Sequence, residues 1–122
     1  MMARSRFLVN LTKSPADDPD RVSVAYVMAN AALTLEKEVV VLLSTDGVWA
    51  GVPDLYQEVH EDNFAPLKDL VEGLLESGGQ VWACAPCVKK RHLEDRLHKK
   101  VQLVGAVTAI EWASENGISF SF

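Results

Sequence analysis

The chain has 122 residues, enough for one domain (residues 1–122) that buries its own core without disulfide staples. Hydrophobic residues make up 48% and charged residues 24%, a balance that excludes a disordered chain. With 17 Asp and Glu against 12 Lys and Arg, the net charge is −5, which excludes the basic footprint of a nucleic-acid binder.

The start, Met1-Met2-Ala3-Arg4-Ser5-Arg6, passes straight into Phe7-Leu8-Val9 with no apolar leader, so no export signal is expected. The apolar run Val39 to Leu43 is strand-sized, far short of the ~20 residues a membrane span needs, and no membrane partner is expected. Two cysteines without an export signal point to a reducing cytoplasm. There a cysteine pair serves catalysis, redox chemistry or metal binding more often than structure.

Phe7 to Leu11 reads as the first strand, broken by Pro15, Asp17, Asp18 and Pro19. Asp18 suits a helix cap with Pro19 at the first helical position. The helix then runs through Val22, Ala25, Tyr26, Ala29, Ala32 and Leu33. Val39 to Leu43 is a continuous β-branched run typical of a parallel strand covered on both faces. A long loop is predicted from Ser44 to about Ala65, carrying Asp46-Gly47, Trp49, Gly51, Pro53 and Tyr56, and loops of this length are usually functional or mobile. Leu67, Leu70, Val71, Leu74 and Leu75 share one helical face. Pro66 suits that helix's first turn and Gly78-Gly79 its end. Val81 to Cys84 reads as the third strand, Pro86 to about Leu97 as wholly or partly helical, and Val101 to Leu103 as a short strand. Ala106 to Glu115 reads as a helix closed by Asn116-Gly117. Ile118, Phe120 and Phe122 alternate with serines as in a half-buried strand. Alternating βα units of this length predict a mostly parallel sheet with helices on both faces.

The chemistry concentrates in Gln80-Val81-Trp82-Ala83-Cys84-Ala85-Pro86-Cys87-Val88-Lys89-Lys90-Arg91. Both cysteines lie there, spaced C-x-x-C, between a strand and a predicted helix start. A helix N-terminus and nearby cations favour the thiolate, the reactive form of cysteine. Cys84 is therefore the candidate reactive thiol. Cys87 is an auxiliary thiol one helical turn on. Arg91 and Lys90 are candidate thiolate stabilisers, and Lys89 to Arg91 together offer a surface for an acidic partner.

The order of elements, the segment Pro66-Leu67 through Gly78-Gly79, and the run Gly78-Gly79-Gln80-Val81-Trp82-Ala83-Cys84 with Arg91 seven residues on resemble the DsrE/DsrF-like family. So does Leu103-Val104-Gly105-Ala106 leading into a helix and an apolar last strand. The resemblance implies a three-layer α/β/α sandwich around a mainly parallel five-stranded sheet, and a homo-oligomer, often a trimer or hexamer. It implies a sulfur-relay role of the TusD-like type, with Cys84 matching the persulfide-carrying cysteine and Arg91 a basic residue common in the next turn. The implied partners are sulfur donor and acceptor proteins. The chain departs from the pattern at His92, where relay proteins often have Gly, and at Cys87, which only some members carry.

Other readings stay open. Cys84-Ala85-Pro86-Cys87 looks like the C-G-P-C of a thiol–disulfide oxidoreductase, although no proline follows Pro86 to serve as that fold's second loop. Cys84, Cys87, His92 and His98 are possible zinc ligands, but crowded into one stretch. The cysteines also fit a non-catalytic oligomeric module in which they are packing residues. Asp46 and His60 are candidate pocket residues, with a turn aspartate and a solvated histidine as the simpler accounts. Trp49 and Tyr56 read as an oligomer contact or a lid. No phosphate-binding glycine loop or other cofactor motif is present, so no cofactor and no metal is assigned.

Overall fold

A computed structural model describes residues 4–122; the start of the chain, Met1 to Ala3, on which the reading of the leader rests in part, lies outside them. Five strands form one all-parallel sheet in the order β4-β3-β2-β1-β5. They are β1 (Arg6–Leu11), β2 (Glu38–Leu43), β3 (Gln80–Cys84), β4 (Gln102–Val104) and β5 (Gly117–Ser121). The helices are α1 (Pro19–Thr34), α2 (Pro53–Tyr56), α3 (Leu67–Glu76), α4 (Ala85–Lys90) and α5 (Ala106–Ala113).

The order of strands fixes the layers. From β1 to β4 the chain steps in one direction across the sheet, so right-handed crossovers place α1 and α3 on the same face. The chain then returns past β1 to form β5, which sends α5 to the opposite face. The side chains agree. Val9 and Leu11 of β1, Val39, Val41 and Leu43 of β2, and Val81 and Ala83 of β3 share a core with Val22, Ala25, Tyr26 and Ala29 of α1 and Val71 and Leu74 of α3. Trp82, one residue out of step, meets Trp112 of α5 edge-to-face at 5.8 Å. Each fully buried Val or Leu adds about 1.5–3 kcal/mol of burial free energy, so this double-sided core, not local propensity, holds β2.

Local signals set the element ends. Asp18 Oδ1 accepts the Arg21 N–H at 3.0 Å and Pro19 opens α1, as the sequence predicts. Asn30 stitches α1 to α3 by donating to the Leu70 carbonyl at 3.0 Å. Gly78 ends α3 at φ 98, a conformation that favours glycine.

Two expectations need correction, and one is narrowed. The stretch after β2 is not an open loop: Thr45–Gly51 forms a 3-10 helix, α2 follows, and Val48, Ala50, Val52 and Tyr56 are fully buried. The segment after β3, read as wholly or partly helical, is partly so: α4 stops at Lys90, because His92 turns left-handed at φ 55 and Leu93 dives into the core, with its N–H on the Val88 carbonyl. The last strand is not half-buried. As an edge strand it leaves Ile118 51% and Phe120 38% exposed.

Candidate functional site

The carboxyl ends of β2 and β3 lie side by side, Leu43 level with Ala83, and the cysteines sit just beyond them. Cys84 ends β3 and Cys87 occupies the first turn of α4. Both are half-buried free thiols, and their sulfurs stand 2.8 Å apart. The turn leaving β2 closes over them, and Thr45 donates its backbone N–H to Cys87 Sγ at 3.3 Å.

Thr45 does this from φ 51, a left-handed conformation that a β-branched residue rarely adopts. Neighbouring contacts hold it there. Thr45 Oγ1 lies 3.2 Å from the Thr12 carbonyl, and Ser44 donates its N–H to the Leu11 carbonyl at 3.0 Å and its hydroxyl to Asn10 Oδ1 at 3.2 Å. Gly47 presses on the end of β1 so closely that a Cβ there would fall 1.9 Å from the Leu11 carbonyl oxygen. Strain of this kind persists only where the surroundings over-determine it.

Arg91 ties the two sides together. Its Nη1 donates to the Cys87 carbonyl at 3.1 Å, while Nε and Nη2 donate to Asp46 Oδ1 at 3.2 and 3.0 Å. The Cys84 thiol is nevertheless pushed up from the ordinary thiol pKa. Burial is the main cause and the adjoining Cys87 thiol adds to it, while the Cys87 amide and the Arg91 charge pull the other way and lose. The direction is opposite to the thiolate bias that the sequence suggests. The physical reason is that burial beside a second thiol outweighs the Cys87 amide and the Arg91 guanidinium, which is itself paired with Asp46.

Of the residues singled out in the sequence, Cys84, Cys87, Arg91 and Asp46 come together. Lys90 and Lys89 are exposed in the last turn of α4, where a cation complements the helix dipole, and neither is among the groups that shift the Cys84 thiol. His60 bonds the Phe64 carbonyl at 2.9 Å within its own turn and makes no hydrogen bond to either thiol among the described residues. Tyr56 is no surface contact: it is fully buried, with its hydroxyl on Glu72 Oε2 at 2.6 Å. Trp49 is half-buried beneath the Arg96 guanidinium, 5.5 Å from its ring. His98 Nδ1 accepts the Lys100 N–H at 3.0 Å, and no group of three or more metal-binding side chains gathers among the described residues. The residue that sequence reasoning missed is Thr45. Its contribution is a backbone N–H, which side-chain identity does not encode; the Asp-Gly that follows is the one hint of a tight turn there.

The model of the DsrE/DsrF-like family matches residues 6–121. An uncharacterized protein of Methanopyrus kandleri is 31% identical over 98 residues, covering 80% of this chain and 78% of that one. The crystal structure of the YchN protein from E. coli superposes with a TM-score of 0.77 at 16% identity, covering 98% of this chain and 100% of that one. A protein of unknown function from Methanobacterium thermoautotrophicum superposes with a TM-score of 0.68 at 16% identity, covering 97% and 99%. At that identity both structures speak for the fold, an all-parallel five-stranded sheet flanked by helices.

Proposed function

The chain belongs to the DsrE/DsrF-like family, and we propose that it is a cytoplasmic sulfur carrier of the sulfur-relay, TusD-like type, with Cys84 as the persulfide-bearing thiol and Cys87 as its auxiliary. The observation that carries this reading is the pair of free thiols, 2.8 Å apart, at the carboxyl edge of a parallel sheet, where α/β sites gather. In the loading step the Cys84 thiolate attacks the outer sulfur of a donor persulfide. A bond forms between Cys84 Sγ and that sulfur, the donor's S–S bond breaks, and the donor leaves as a thiolate with the electron pair.

A thiol that holds its proton tightly is a workable acceptor. Each tenfold loss of thiolate is partly returned by about a threefold gain in the nucleophilicity of the anion. The partners are thiol-bearing donor and acceptor proteins, for which exposed Lys89 and Lys90 offer an acidic-partner contact beside Arg91. Further copies of this chain, as a trimer or hexamer, would cover exposed Leu35, Val107 and Ile110. Among the described residues no helix is long and apolar enough to cross a membrane.

The close approach of the thiols also favours a second reading, a dithiol–disulfide oxidoreductase. Turnover of oxidised glutathione in the absence of any persulfide would favour it. The test of the first reading is removal of sulfur from a persulfidated donor. Wild type strips the donor and Cys84→Ser does not; equal stripping by both overturns the assignment.

A further inference from the structure

We propose that the Cys84–Cys87 pair discharges its own cargo, releasing the carried sulfur as hydrosulfide and closing an intramolecular disulfide. The inference rests on the carrier reading above and adds an activity to it, sulfide release, and a partner class, a dithiol reductant that resets the pair.

The geometry gives the direction. In a Cys84 persulfide the inner sulfur keeps the position of Cys84 Sγ, with the Cys87 sulfur 2.8 Å away and held on the core by its own packing. Which sulfur of a persulfide is attacked decides its fate. An external acceptor takes the outer sulfur, whereas Cys87 faces the inner one. The Thr45 N–H aims at Cys87 Sγ, so the sulfur placed to attack is also the one supplied with a backbone donor while it carries negative charge. The strained turn that presents this donor is fixed by the end of β1, so the donor is in place before any partner arrives.

The step balances. Cys87, its proton already lost to solvent, forms a bond to Cys84 Sγ. The bond between Cys84 Sγ and the outer sulfur breaks, and that sulfur leaves with the electron pair as HS⁻. Over loading and release together, the sulfane sulfur gains two electrons and the two cysteine thiols lose them. A dithiol reductant then attacks the disulfide and returns both thiols through a mixed disulfide.

The experiment loads the full chain with cysteine persulfide in the absence of reductant, traps sulfide with a bimane reagent and follows intact mass. Wild type releases one equivalent of sulfide per chain above the background of a Cys84→Ser/Cys87→Ser control. Its mass ends two hydrogens below that of the reduced protein and is restored by dithiothreitol. Cys87→Ser ends one sulfur atom heavier and releases nothing above background. If wild type holds its added sulfur as long as Cys87→Ser does, or releases sulfide without losing two thiols, self-discharge is overturned and the carrier reading stands. If neither protein gains or releases sulfur, the carrier reading falls and this inference falls with it.

Discussion

Thr45 gives its backbone N–H to the Cys87 sulfur, 3.3 Å away, from a conformation that threonine rarely adopts. The contact joins the exit of β2 to the first turn of α4. One side of the site is thus built from a strand end that carries no reactive side chain. Its alignment depends on Gly47, which rests directly against the Leu11 carbonyl.

Gly47→Ala puts a methyl group where backbone already lies, 1.9 Å from the Leu11 oxygen. The turn has to shift, at a cost of about 2–4 kcal/mol by comparison with other core overpacking and strain mutations. A clearly lowered midpoint in chemical denaturation is expected, together with altered alkylation kinetics at Cys87. Unchanged stability would show that the turn gives freely and does not hold Thr45 in place.

Cys84 titrates above the ordinary thiol value because it is buried beside a second thiol. Its labelling by iodoacetamide therefore gains rate with pH through a midpoint above the ~8.5 of a free cysteine. Removing one cause of the rise, in Cys87→Ser, moves that midpoint down. The folded chain gives up this proton later than the unfolded one, so stability falls as pH climbs from the ordinary thiol value through the raised one. A midpoint at or below that of free cysteine would contradict the assignment of burial as the dominant cause.

Arg91 is the cation that pulls the Cys84 thiol down, and its pairing with Asp46 is partly exposed. Arg91→Gln raises the Cys84 midpoint further and slows labelling at neutral pH, while an ion pair of this kind costs at most about 1 kcal/mol of stability. Labelling that is unaffected, measured at one pH on protein of unchanged thermal midpoint, would take Arg91 out of the site.

Tyr26 is fully buried in the core and its hydroxyl finds no partner among the described residues; burial drives its pKa up. An unpaired buried hydroxyl costs stability that an apolar group of the same shape does not. Tyr26→Phe is expected to leave thermal stability unchanged or raise it by about 1 kcal/mol. A fall would mean that the hydroxyl has a bonding partner.

The scaffold was legible because its signals are local and agree with one another. Asp18-Pro19 starts α1, Gly78-Gly79 ends α3, and the run Val39 to Leu43 reads as a strand covered on both faces. What escaped is non-local. Tyr56 and Val48 look like loop residues until the core is in view, and β5 alternates as if half-buried although the sheet ends there. The pairing of Cys84 with Cys87 follows from their spacing at a strand end. The direction of the Cys84 shift does not, because it depends on how deeply the folded chain buries the thiol and on Asp46 engaging Arg91 from another element.

The most direct measurement locates the transferred sulfur. After incubation of Cys87→Ser with a persulfidated donor and quenching with iodoacetamide, peptide mass spectrometry reads which residue has gained an atom. The account predicts one added sulfur on Cys84, retained between the cysteine and the alkyl group. A Cys84 peptide that is alkylated but carries no extra sulfur would contradict it.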